Sequence, residues 1–167
     1  TISDSDVRSL NAISGVENVA PICSESAVME FNGEKINVSI SATSADDAEI
    51  FDSTGYFDVS DGRDVEKNES TAVLIGSVIA NTYFERKINV RKQVLINGET
   101  YKVIGILAPQ AQSFGGGPDT GNSVFMSLDG LQRISDADEP SIIFVTATGK
   151  DTVEETAEDI KDYFERK

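Results

Sequence analysis

Residues 71–84, TAVLIGSVIANTYF, followed by residues 90–107, VRKQVLINGETYKVIGIL, decide the fold. Ala72 to Ile75 is apolar at every position, as a strand buried on both faces requires. Ser77 to Phe84 has the length and spacing of a two-turn helix. Gln93 to Ile96 and Tyr101 to Leu107 then read as two strands turning at Asn97-Gly98, a pair that tolerates the positive φ of a tight hairpin. Nothing in this stretch is set as a nucleophile, a general base or a metal ligand. On periodicity it describes α+β scaffold and leaves the function open.

Toward the N-terminus, Ser3 followed three residues later by Asp6 matches a capping box, Val7, Leu10 and Ile13 lie near one helical face, and Gly15 is a natural stop. The spacing predicts a helix over 4–13. Val16 to Phe31 and Lys35 to Ala42 read as strands joined at Asn32-Gly33. Ile36, Val38 and Ile40 alternate with polar residues in the second of them, so one face is buried and one is wet. From Ser44 to Glu69 the chain turns polar and acidic, with Asp46-Asp47 and Asp61-Gly62-Arg63-Asp64 as turns around an apolar patch at Tyr56, Phe57 and Val59. A subdomain crossing is expected there.

Toward the C-terminus, residues 108–122, APQAQSFGGGPDTGN, form the one long loop, and loops of this length tend to carry function. Val124 to Met126 reads as a strand, Leu128 to Ile134 as a short helix, and Ile142 to Ala147 as a buried strand. Asp151 is placed to cap a closing helix on which Val153, Ala157, Ile160 and Phe164 recur at helical spacing. The pentapeptide Tyr83-Phe84-Glu85-Arg86-Lys87 recurs as Tyr163-Phe164-Glu165-Arg166-Lys167. Its flanks do not align into a longer repeat, and basic residues suit a helix C-terminus in both copies through the helix dipole.

A chain of 167 residues suffices for one ordinary domain or two small subdomains. Its 29 acidic and 14 basic residues leave a formal net charge of -15, a field that repels phosphate backbones and argues against nucleic acid. Histidine is absent, which removes the usual base at neutral pH and the commonest metal ligand. Cys23, the single cysteine, can form no internal disulfide and is expected to be a small buried side chain. No apolar run reaches the length of a membrane span. The abrupt start at Thr1 on a helix signal and the end at Lys167 inside another are what an excised domain would show.

Candidate chemistries fail on spacing. Phe114-Gly115-Gly116-Gly117 lacks the Gly-Lys-Ser/Thr ending of a phosphate loop, and Pro118 stands where a helix should begin. Asp58 to Glu69 places oxygens at several positions of a calcium loop, but Arg63 occupies the position that needs glycine. Asp136-Ala137-Asp138-Glu139 is interrupted by Pro140. No serine sits in a nucleophile elbow. Asn37-Val38-Ser39 and Asn68-Glu69-Ser70 match the N-glycosylation sequon, at about the frequency expected by chance in a chain with this composition. The residues therefore assign no catalytic group, no metal site and no cofactor.

The motifs in order are Gly15-Val16 after the first helix, Pro21 in the next strand, Asp61-Gly62-Arg63, Val73-Leu74-Ile75-Gly76, Tyr83-Phe84, Ile96-Asn97-Gly98, Tyr101-Lys102-Val103-Ile104-Gly105-Ile106-Leu107, and Val124-Phe125-Met126. This order resembles the extracytoplasmic core domain of MacB-type ABC transporter permeases, a group that includes the lipoprotein-releasing and FtsX-like permeases. The resemblance covers nearly the whole chain. It implies an α+β domain inserted between the first and second transmembrane helices of a permease, with a porter-like α/β subdomain from residues 1–45 plus 140–167 and a Sabre-like one from residues 46–139. It further implies a place on the extracellular or periplasmic side of the cell membrane and no enzymatic activity. The implied partners are a cytoplasmic ABC ATPase, a second permease protomer and a periplasmic adaptor, with mechanical transmission of ATP hydrolysis to substrate export or extraction. Two positions depart from the family pattern: Ser127 stands where proline is frequent, and Arg91 where glycine commonly precedes the lysine of the hairpin strand.

Within that expectation Phe114, Gly115, Gly116 and Gly117 are the candidate partner-contact residues. A competing reading is a binding module for a small apolar ligand, which calls for a deep apolar pocket. A third, a carboxylate hydrolase, calls for two converging acids in a cleft.

Overall fold

The computed structural model describes residues 3–43, 59–65, 69–108, 121–136, 140, 142–149 and 153–166. In chain order the elements are α1 (Asp4–Asn11), β1 (Val16–Phe31), β2 (Glu34–Thr43), β3 (Val59–Gly62), β4 (Ala72–Gly76), a π-helix (Ile79–Tyr83), β5 (Gln93–Ile96), β6 (Glu99–Leu107), β7 (Ser123–Ser127), α2 (Leu128–Gln132), β8 (Ile142–Ala147) and α3 (Val153–Arg166). By contact the chain divides into a terminal unit, Thr1–Ile22 with Glu139–Lys167, and a central unit, Cys23–Asp138. The sequence expectation drew the first crossing after residue 45. The contact division draws it at Ile22, because β2 pairs with the second half of β1 and, in parallel, with β7.

In the terminal unit the capping box forms as the sequence implies. The Ser3 hydroxyl accepts from the Asp6 N–H at 3.2 Å, and the Asp6 carboxylate accepts from the Ser3 N–H at 2.8 Å. Two otherwise orphaned donors at the helix start are thereby satisfied. Asp6 is buried, and its other oxygen accepts from the Tyr163 hydroxyl at 2.7 Å, tying α3 to α1. The first half of β1 pairs antiparallel with β8, from Val16 opposite Ala147 to Ile22 opposite Ile142. On α3 the expected stripe is displaced: Thr156 is buried and Tyr163 half-buried, whereas Val153, Ala157 and Phe164 are exposed. The hydrogen bond from Tyr163 turns the helix so that the line through Thr156, Ile160 and Tyr163 faces inward.

The central unit is a closed ring of strands. The path runs β1–β2–β7–β4–β6–β5 and returns to β1. Alternate residues of each strand fill the interior: Met29, Phe31, Val38, Ile40, Val73, Ile75, Val94, Ile96, Tyr101, Val103, Val124 and Met126 all belong to one buried cluster. A small barrel of this kind has no room for a channel, since its side chains occupy the lumen. Ile79, Phe84, Ile88 and Leu131 join the same cluster from outside the strands. A second cluster, Ala72, Leu74, Ile104, Leu107 and Phe125, lies on the opposite side of the wall. That explains why β4 is apolar at every position: its two faces serve two cores.

Local devices close the ring. Both two-residue turns adopt positive φ at each position, Asn32 at 51° and Gly33 at 81°, Asn97 at 49° and Gly98 at 86°, as a hairpin with the twist of its strands demands. A bulge in β6 between Val103 and Gly105 shifts the register against β4, so Ile106 faces the interior and Leu107 the outer cluster. At Gly105 a Cβ would lie 2.5 Å from the Arg63 carbonyl oxygen and 2.6 Å from Leu74 Cδ2. Gly62, paired with it, has φ 83° and would drive a Cβ into the Ile104 carbonyl. Both glycines are there because two backbones touch. Asp61-Gly62 therefore belongs to a strand, Val59–Gly62, where the composition predicted only a turn.

The seam between β5 and β1 is short, like that between β4 and β7. It holds two residue pairs, Met29 opposite Ile96 and Glu30 opposite Leu95, against nine between β1 and β2. Asn97 extends it: its N–H donates to the Val28 carbonyl at 2.9 Å, and its side-chain oxygen accepts from the Val28 N–H at 2.9 Å. The turn residue thus also fastens the ring.

Candidate functional site

The candidate partner-contact residues Phe114, Gly115, Gly116 and Gly117 lie outside the described residues. What is described is how the chain leaves and re-enters the barrel on either side of them. It leaves at the end of β6, where Leu107 is buried, and re-enters at Gly121 and Asn122, immediately before β7. The re-entry is anchored to the π-helix. The Val78 and Ile79 N–H groups, orphaned at the start of a short helix, both donate to the Gly121 carbonyl, at 3.0 and 3.3 Å. The Tyr83 hydroxyl, at the other end of the same helix, donates to the Asn122 side-chain oxygen at 2.6 Å.

The π-helix is itself held firmly. Ile79 and Ala80 are buried, the Ala80 carbonyl accepts from the Ile88 N–H at 2.9 Å, and Phe84 packs edge-on against Phe31 with ring centroids 5.8 Å apart. The Thr82 hydroxyl donates to the Val78 carbonyl at 2.6 Å, a bond that competes with ordinary helical pairing. Single π-turns of this kind occur frequently at functional positions. Sequence reasoning found the helix but not its extra residue per turn, and it assigned no role to Tyr83, Gly121 or Asn122. The repeated pentapeptide does not predict equivalence either: Phe84 is buried, whereas Phe164 is exposed.

A second cluster of polar contacts sits around Tyr101. Its phenol, inside the barrel, donates to the Gly130 carbonyl at 2.7 Å, and the Arg133 guanidinium lies 4.7 Å from its ring centroid. Arg133 also donates to the Thr100 carbonyl at 3.1 Å and pairs with Glu99 at 3.3 Å. Burial pushes the Tyr101 phenol above its ordinary value, with Arg133 opposing and Glu99 reinforcing the shift. Ser127 starts α2, accepting from the Gly130 N–H at 3.1 Å and donating to the Glu69 carbonyl at 3.0 Å. Its φ of -68° is one proline would also adopt, so the serine keeps the backbone and adds two hydrogen bonds. These bonds join α2 to β6 and to the segment before β4.

The spacing that resembled a calcium loop has another use. Glu69, at its twelfth position, forms a two-pronged pair with Arg63, at 2.6 and 2.9 Å. Among the described residues no three histidine, cysteine, aspartate or glutamate side chains are grouped to hold a metal ion. A cleft among the described residues is lined by Asn32, Glu34, Glu85 and Arg86, a polar and charged set unlike the apolar pocket that a ligand-binding module calls for. Cys23 is buried, as expected. Among the described residues no helix is long and apolar enough to cross a membrane.

The chain is 28% identical over 158 residues to an uncharacterized ABC transporter permease of Methanocaldococcus jannaschii, a match covering 93% of this chain and 38% of that protein. It therefore spans well under half the length of that relative. Among solved structures, the extracellular domain of the noncanonic ABC-type transporter YknZ from Gram-positive bacteria superposes with a TM-score of 0.68 at 19% identity, covering 98% of this chain and 84% of that one. The periplasmic region of MacB from Actinobacillus actinomycetemcomitans gives 0.66 at 16% identity, covering 99% and 74%. Both likenesses carry the fold. The family model for the MacB-like periplasmic core domain matches residues 1–163. With a match of that extent, the chain belongs to the MacB-like periplasmic core domain family of ABC transporter permeases.

Proposed function

We propose that this chain is the extracytoplasmic domain of a MacB-like permease, and that it transmits motion driven by a cytoplasmic ABC ATPase to substrate export or extraction. The observation that carries the reading is the family match over residues 1–163, nearly the whole chain. The closed ring of the central unit supports it, because a filled barrel without a deformable lumen can move as one body. We assign the terminal unit to the porter-like subdomain and the central unit to the Sabre-like one. A second permease protomer and a periplasmic adaptor are the proposed extracytoplasmic partners, with the loop carrying Phe114 to Gly117 as their contact.

The test uses the full permease with its ATPase in proteoliposomes. Spin labels at Ser26→Cys and Glu158→Cys, both exposed positions, report the distance between the two units, while the buried Cys23 stays unlabelled. A distance distribution that changes with ATP hydrolysis supports transmission; one that is identical with and without ATP refutes it. Separately, deletion of Phe114 to Gly117 is expected to abolish complex assembly or transport, and intact transport would remove the loop from the mechanism.

A further inference from the structure

We propose that Asn37 is an acceptor for an N-linked glycan on the outer wall of the central barrel. The inference rests on the extracytoplasmic reading above. Asn37-Val38-Ser39 carries the acceptor spacing, and the structure adds what the sequence could not. Val38 points into the barrel and is buried, while Asn37 and Ser39 on either side of it are exposed on the outer face. A sequon whose asparagine faced the core could carry no sugar; this one meets solvent at both of its chemical positions. The site is also uncrowded. β7 joins β2 only from Ser39 onward, so Asn37 lies on the stretch of β2 that runs past its parallel neighbour.

An independent feature is the residue opposite. Val28 faces Asn37 across the β1–β2 pair and is 41% exposed, among the few large apolar side chains of the described residues left in water. The Val28 N–H and carbonyl both point to Asn97 and away from β2. Val28 and Asn37 therefore form a non-hydrogen-bonded pair, the kind whose side chains approach most closely. The first sugar on Asn37 would lie against Val28 and remove part of its apolar surface from water. The co-substrate is a lipid-linked oligosaccharide. The Asn37 side-chain nitrogen forms a bond to the anomeric carbon, the bond from that carbon to the lipid phosphate oxygen breaks, one amide proton is lost, and the lipid phosphate or diphosphate leaves.

The experiment is peptide mapping by mass spectrometry of the full permease purified from its own membranes, beside Asn37→Gln and Ser39→Ala variants. The expected result is a mass increment of at least one hexose on the peptide containing Asn37, lost in both variants, with a matching rise in gel mobility. An unmodified Asn37 peptide, or sugar confined to the Asn68 sequon, overturns the inference. Labelling of the exposed Lys35 on intact cells with a membrane-impermeant reagent separates the two failures. A labelled chain with bare Asn37 rejects the glycan alone, whereas a chain inaccessible from outside rejects both readings.

Discussion

Replacing Asn97 by glycine removes one half of the fastening between β5 and β1 while keeping the turn. The backbone there has φ 49°, which glycine adopts without strain, so the change isolates the side-chain oxygen that accepts the Val28 N–H. Val28 is partly exposed, so water replaces part of the lost bond, and the net loss is that of an ordinary hydrogen bond, about 0.5–1.5 kcal/mol. The extra freedom of glycine in the unfolded chain adds about 0.5–1 kcal/mol. The sum, about 1–2.5 kcal/mol before the small relief of asparagine's left-handed φ, corresponds to a fall in Tm of roughly 2–10 °C for a chain of this size. Asn97→Asp keeps the acceptor and is expected to stay within about 0.5 kcal/mol of the parent. Hydrogen exchange gives the sharper assay. If Asn97 fastens the ring, the Val28 amide in Asn97→Gly loses about tenfold in protection per 1.4 kcal/mol, while amides in the longer β1–β2 ladder change less. Unchanged exchange at Val28, or equal stability of the glycine and aspartate variants, would refute the fastening role.

Other expectations follow from the same geometry. Arg91 has φ 75°, a left-handed conformation costing a side-chain-bearing residue about 1–2 kcal/mol, so Arg91→Gly is expected to raise denaturant stability by up to about 1 kcal/mol after the entropy of glycine is subtracted. Gly105→Ala forces a Cβ against the Arg63 carbonyl and Leu74, and a loss of about 1–3 kcal/mol in urea unfolding is expected. Tyr101 has its folded-state pKa raised above the unfolded value, so its contribution is fully present below about pH 10 and is lost as pH rises through the folded value. Unfolding free energy should thus fall more steeply above about pH 10 in the parent than in Tyr101→Phe, and absorbance titration should show a late-ionising tyrosine that Tyr101→Phe removes.

Much of this fold could be read locally. The capping box at Ser3, the Asn32-Gly33 and Asn97-Gly98 turns and the uniformly apolar Ala72–Ile75 each encode their own geometry within a few residues. The ring could not be read that way. Its closure depends on Ser39 finding Ser123 and Met29 finding Ile96, partners that no periodicity names. Asp61-Gly62-Arg63-Asp64 misled for a related reason: turn-forming composition also suits a bulged strand whose glycine must meet another backbone. On α3 the helical period was visible, but a single hydrogen bond from Tyr163 to Asp6 decided which side faces inward. Of the candidate site, Phe114 to Gly117 lie outside the described residues, and the contacts of the re-entry before β7 had no signal in the sequence. The link from Gly121 and Asn122 to Val78, Ile79 and Tyr83 depends on a π-turn whose inserted residue leaves no sequence mark.

The split of β1 between two units also sets an order of assembly. Its second half can pair with β2 as soon as the Asn32-Gly33 turn is made, but Val16–Ile22 must wait for a strand on the order of 120 residues later, at a loop-closure cost that only prior compaction reduces. During synthesis every strand of the barrel, through β7, precedes β8, so the barrel can close before the terminal unit has its second strand to pair. The pairing of Val16–Ile22 with β8 is the last strand pairing the chain makes available.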